Sequence, residues 1–275
     1  MEPRPNATGL PIKWSQSDRS KLDFIQAMIS RPSMMLRPLT DALYERKLKT
    51  PEDSNTQTAN DIAGMMDQET LVQFLRFLRR KSQDMKWVEL QEFMEPSSDV
   101  LSDWLNQENK SYGELILDHN MIIPEYYFTG FHHQPGGFNG NQLSGLMYDV
   151  GLDISFASGL TGGVANLVPD RNYKRILDLG CGSGRSTEPF KTRFPDSDVF
   201  GIDPSEPLLK TAHQRAKQKS VEINYYQGLA ESTPFPDDYF DLVTATILFH
   251  EVPDEAAFSI LKETKRILSP GGILV

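Results

Sequence analysis

The spacing of apolar positions changes rhythm near residue 170. Before that point it is helical. Leu22, Ile25, Met28 and Ile29 share one face. Leu71, Phe74, Leu75 and Leu78 share another, with Val72 beside it and Arg76, Arg79 and Arg80 largely opposite. Trp87, Leu90, Phe93 and Met94 continue the packing surface, and Leu101, Trp104 and Leu105 predict a further turn or helix. The polar stretch 49–60 reads as a loop. After residue 170 the pattern becomes short apolar runs separated by amphipathic ones. Residues 174–179, 198–203, 221–226 and 240–249 read as buried strands, and 273–275 as the start of a fifth. Residues 186–194, 205–219 and 254–268 read as helices between them, with Ser205 a plausible cap. Such alternation predicts an α/β fold: a mostly parallel, Rossmann-like sheet with flanking helices, preceded by a helical N-terminal region.

The first strand ends in Ile-Leu-Asp-Leu-Gly-Cys-Gly-Ser-Gly, residues 176–184. Gly180, Gly182 and Gly184 let the backbone turn tightly and lie against a ligand, and the next helix aims free N–H groups the same way. A dinucleotide fingerprint needs Gly-x-Gly-x-x-Gly, but its third glycine position holds Arg185. The second strand ends in Asp203, nineteen residues after Gly184. A carboxylate there can accept both hydrogen bonds of a ribose diol.

The run Asp178-x-Gly-x-Gly-x-Gly resembles the first motif of class I S-adenosylmethionine-dependent methyltransferases, and four later segments follow in that family's order. They are the strand ending at Asp203, the loop 227–241, the strand closed by His250-Glu251, and the Pro-Gly-Gly turn at 270–272. The resemblance implies S-adenosylmethionine as cofactor, held by Asp178, Gly180, Gly182, Gly184, Asp203, Leu229, Ala230 and Glu231. Leu229 departs from the Asp or Asn common in the adenine-side loop, so backbone contacts would replace a side-chain bond there. The implied activity is methyl transfer to a small-molecule acceptor. Two other functions remain open: a non-catalytic cofactor-binding or scaffolding protein, and a nicotinamide oxidoreductase disfavoured by the glycine spacing. The family's sheet order is three, two, one, four, five, seven, six. Only five strands are visible, so the sheet is expected to be incomplete after strand five and the chain to be C-terminally truncated. The expected division is a helical region 1–125 and a cofactor domain 126–275 that begins with lid helices.

On the acceptor side, His250 stands near the fourth strand's C-terminal end, where open parallel sheets bind ligands, and imidazole is the side chain suited to proton transfer near neutral pH. It is the candidate base, with Glu251 a possible orienter. Residues 124–140 are rich in aromatics, glycine and histidine, as a packed linker or a lid would be. Residues 142–167 read as two helices broken near Gly151 and 159–163, and Tyr148 among them is the second catalytic candidate.

Composition narrows the partners. The chain has 275 residues, 28 Lys+Arg, 38 Asp+Glu and a net charge of −10, which disfavours nucleic acid. The single cysteine, Cys181, excludes an intrachain disulfide and fits better as a space-filler than as a nucleophile. The five histidines show no metal-ligand spacing, so no metal is expected. No apolar run has the length of a membrane span. With no secretory signal pattern at the N-terminus, the expected compartment is the cytoplasm, and the sequon at Asn6 carries no meaning there. The acceptor's identity and the oligomeric state are not written in the sequence.

Overall fold

A computed structural model describes residues 9–48, 58–107, 111–130, 132–155 and 163–275. The sequon at Asn6, residues 49–57 of the polar loop and the glycines at 159 and 162 lie outside them.

The N-terminal part supplies α1 (Gln16–Leu48), α2 (Ala59–Asp67), α3 (Thr70–Met94) and α4 (Ser98–Leu105). Thr58 and Asp61 form a capping box on α2 that satisfies free N–H groups. A two-residue strand, β1 (Leu115–Ile116), follows, then α5 (Ser144–Ile154) and α6 (Val164–Leu167). The remainder alternates as predicted: β2 (Arg175–Leu179), α7 (Glu188–Arg193), β3 (Asp198–Asp203), α8 (Glu206–Lys219), β4 (Asn224–Gln227), β5 (Phe240–Thr244), α9 (Asp254–Ile267) and β6 (Leu268–Leu274).

The strands form one parallel sheet in the order β1-β4-β3-β2-β5-β6. Its five C-terminal strands take the expected three-two-one-four-five arrangement. Side chains alternate between two cores. Ile176, Val199 and Leu242 pack with Phe190, Leu209 and Ala212 on the α7–α8 face. Leu177, Phe200 and Val243 pack with Ile260 and Ile267 on the α9 face. Burial on both faces is why these strands read as continuous apolar runs. A third core joins Ile25 and Ile29 of α1, Trp87 and Leu90 of α3, Leu101 of α4, and Leu146 and Val150 of α5.

Several elements differ from the sequence reading. Residues 111–116 are not helical: β1 pairs with β4, Leu115 opposite Tyr225, and Gly113 (φ 96°) sits where a Cβ would strike the Ile223 carbonyl. A two-residue strand leaves no periodicity to read. α5 runs unbroken through Gly151, because a Cβ there would lie 2.7 Å from the Trp87 ring; the glycine serves helix packing, not a break. β5 ends at Thr244, so His250 stands six residues beyond it, on a loop that includes Ile247 at φ 60°. β6 begins at Leu268 and runs through Pro270-Gly271-Gly272 with a register shift against β5, rather than starting after a turn.

Candidate active site

The glycine loop lies at the C-terminal end of β2. Gly180 and Gly182 have φ of 65° and 52°, a region costly for side chains, and a Cβ on Gly180 would lie 2.7 Å from Leu248. The Gly180 and Cys181 N–H groups both donate to the Ile202 carbonyl, at 2.9 and 3.1 Å. Gly184 acts differently. It has φ 80°, and a Cβ would lie 2.6 Å from the Tyr225 hydroxyl and 3.0 Å from Ala212, so it allows the loop to pack on α8 and β4. Cys181 is buried, and burial pushes its thiol pKa well up, which fits a filler rather than a nucleophile.

Asp203 ends β3 directly beside the loop. Its Oδ2 accepts from Gly182 N–H at 3.0 Å, and its Oδ1 from Ser205 N–H at 2.9 Å and the Tyr127 hydroxyl at 3.2 Å. Burial raises its pKa from 3.8 to about 6, against those bonds. Asp178 is fully buried beneath the loop. Its Oδ2 accepts from Ser186 and Thr187 at 2.6 and 2.7 Å, and burial raises its pKa to about 6 as well. It holds the loop and the first turn after it rather than facing the ligand space.

A cavity of 980 Å³ opens above the loop. Of the cofactor residues expected from sequence, Gly180, Gly182, Asp203, Leu229, Ala230 and Glu231 line it, while Asp178 and Gly184 do not. Tyr148 and His250 line it too. Described residues between 124 and 140 form its cover. Two 3₁₀ turns, Glu125–Phe128 and Gly137–Asn139, bring Tyr126, Tyr127 and Phe138 to the wall, and His132 between them lines it too. The Tyr126 hydroxyl donates to Glu231, and Phe138 meets Tyr148 edge-on at 5.1 Å between ring centres. Burial raises the Tyr148 pKa, reinforced by the charges of Glu251 and Asp203.

The sequence left His132 without a role. The fold brings it to Glu251: its Nε2 lies 2.5 Å from Glu251 Oε1, which also sits 2.9 Å from His250 Nε2. The three ligand atoms lie within 4.8 Å of one another, compatible in kind with a metal ion. Both imidazoles share one carboxylate oxygen, however, so the same contacts equally suit two imidazoles held in place by hydrogen bonds to Glu251. No spacing of residues 132 and 250 could have announced this.

A buried ionic cluster fixes the wall behind the loop. Asp149 of α5 accepts from Ser183 at 2.9 Å, from Arg185 Nε at 2.5 Å and from Arg215 at 3.2 Å. Arg185 also binds Asp153, and Arg215 binds Glu188. Arg185, the residue that broke the dinucleotide pattern, therefore ties α5 to the glycine loop.

Residues 176–272 match the family profile described as a methyltransferase domain. The demethylmenaquinone methyltransferase of Thermus thermophilus is 36% identical over 110 residues, covering 40% of this chain and 49% of that one. The chain carries a class I S-adenosylmethionine-dependent methyltransferase domain. A second relative, the 27-O-demethylrifamycin SV methyltransferase of Amycolatopsis mediterranei, is 34% identical over 117 residues, 42% of each protein. Among solved structures, one titled a putative S-adenosyl-L-methionine-dependent methyltransferase of Methanococcus maripaludis overlaps with a TM-score of 0.44 at 19% identity, covering 50% of this chain and 62% of that one. The chain spans less than half the length of these two curated relatives.

S-adenosylmethionine is the cofactor of this family, and the methyltransferase domain has groups suited to it. Two positive-φ glycines lie on the cavity wall, a carboxylate faces the space beside them, and Leu229 and Ala230 offer an apolar surface for a purine. Asp203 has three donors on two oxygens, leaving room to accept one more bond without rearrangement. Among the described residues, no helix is long and apolar enough to cross a membrane.

Proposed function

We propose that the protein transfers a methyl group from S-adenosylmethionine to a small-molecule acceptor. The observation that carries this reading is the single cavity that joins the glycine loop and Asp203 to Tyr148, His132, His250 and Glu251. A cofactor pocket alone would need no cluster of proton-handling side chains. The relatives named for menaquinone and rifamycin methylation support a small-molecule acceptor without choosing one.

The cofactor, when bound, supplies a methyl group activated by a positive sulfonium. The loop backbone and Asp203 would hold its ribose and amino-acid portions, and Leu229 and Ala230 its base. The Tyr126–Glu231 and Tyr127–Asp203 bonds fasten the 124–140 cover across the cofactor side and so exclude water. His250, held by Glu251, would take a proton from an acceptor hydroxyl or activated carbon, and His132 shares the same carboxylate. Tyr148, kept neutral by burial, would orient the acceptor by donating a hydrogen bond.

Calorimetric titration with S-adenosylhomocysteine and with NAD tests the cofactor. The first should bind and the second should not. Transfer of labelled methyl to a panel of phenols, quinols and acids then tests the activity. Binding without transfer to any member would favour a non-catalytic role, and NAD binding alone would reject the proposal.

A further inference from the structure

We propose that the α3 side of the cavity seats an anionic group, a carboxylate or phosphate, carried by the methyl acceptor. This rests on the methyltransferase reading and adds the acceptor's chemical class. Lys86 is only 4% exposed and lines the cavity. Its Nζ donates to Ser155 Oγ at 2.8 Å and lies 3.9 Å from the Trp87 ring centre. No carboxylate pairs with it among the described residues, and the chain just beyond Ser155, residues 156–162, contains no acid. A buried ammonium without a counter-charge is costly, and here burial lowers its pKa to about 7. An anion brought by a ligand would restore the charge balance.

A second observation points the same way. Arg79 and Arg80 lie seven and six residues earlier on α3, about 10 Å along the helix, and line the same cavity. Their guanidinium groups make no ion pair among the described residues, unlike Arg76, which is held by Asp67 at 2.5 Å. A positive path from exposed arginines to a buried lysine is unexpected in a chain of net charge −10. It would steer an anion inward. Trp87 and Phe77 flank the path with flat apolar surface. The acceptor therefore combines an aromatic or apolar body with an anionic end.

The experiment titrates the full chain, saturated with S-adenosylhomocysteine, with benzoate and phenyl phosphate, and with neutral benzamide as control. At least one anion should bind about tenfold or more tightly than benzamide, the size of a charge-assisted bond. Lys86→Met should erase the preference, and Lys86→Arg should keep most of it. Should Lys86→Met fail to fold, the wild-type comparison and Lys86→Arg decide. Equal binding of anions and benzamide, no saturable binding of either, or a preference that survives in Lys86→Met would overturn the proposal. So would a Lys86→Met variant that loses affinity for S-adenosylhomocysteine but not for 5′-methylthioadenosine, since Lys86 would then serve the cofactor's own carboxylate. Failure of S-adenosylhomocysteine to bind wild-type protein would instead reject the methyltransferase reading.

Discussion

Replacing Asp203 with asparagine should separate cofactor binding from folding. In the native site three donors converge on the carboxylate: Gly182 N–H on one oxygen, Ser205 N–H and the Tyr127 hydroxyl on the other. Its pKa is raised from 3.8 to about 6, so keeping it charged at pH 8 costs folding about 3 kcal/mol at 1.36 kcal/mol per pH unit. Asn removes that cost. Its amide nitrogen then faces a donor, leaving one buried N–H unsatisfied at about 1–3 kcal/mol. The two effects offset, and the urea midpoint should stay near wild type. Binding should not. A ribose diol loses one charge-assisted bond, about 1.5–3 kcal/mol, so the Kd for S-adenosylhomocysteine should weaken about 10- to 150-fold. The pH dependence gives a second readout. Because the folded pKa lies above the unfolded value, Asp203 contributes stability that is fully present below about pH 4 and lost as pH rises through about 6. Ribose hydroxyls bond the charged form best, so binding releases a proton, and affinity should rise from pH 5 to 7 and then level off. Calorimetry in buffers of different ionisation enthalpy detects that proton. A Kd changed less than about threefold with the fold intact, or an unaltered pH profile in Asp203→Asn, would refute the assignment of this carboxylate to the cofactor.

Four further substitutions can be checked. Asp149→Ala leaves Arg185 and Arg215 buried without a shared counter-charge and should destabilise by about 3–5 kcal/mol in urea unfolding; an unchanged midpoint would show that the cluster contributes no net stability. Tyr225→Phe removes a buried hydroxyl with no hydrogen-bond partner among the described residues, so thermal unfolding should show no loss and up to about 1–2 kcal/mol of gain, whereas Gly184→Ala, at φ 80° and 2.6 Å from that hydroxyl, should cost about 2 kcal/mol or more. Glu251→Gln weakens the hold on both His132 and His250 and should lower the methyl-transfer rate roughly 100-fold while leaving S-adenosylhomocysteine affinity unchanged; a paired loss of both would place Glu251 on the cofactor instead.

The glycine loop and the strand-end carboxylate on the cavity wall were legible from sequence because their information is local. A strand that is buried on both faces writes a continuous apolar run, as residues 175–179 and 198–203 do. The turn after it writes glycines wherever φ must be positive. The alternation from β2 to β6, the glycine loop and Asp203 at its strand end are all short-range consequences of backbone sterics and burial. Other features belong to tertiary structure alone. His132 and Glu251 are 119 residues apart, Lys86 and Ser155 are 69 apart, and Asp149 meets Arg215 across 66. Nothing in the local pattern of these residues distinguishes a cavity wall from a solvated face. The same limit hid β1, whose two residues are a strand only because β4 offers a free edge, and misread Gly151, whose missing side chain matters only where α3 crosses it. Sequence determined where the chain could turn and which segments had to be buried. Which polar groups would share the resulting cavity was decided by long-range packing, because hydrogen bonds and ion pairs of this kind depend on distance in space and not on separation along the chain.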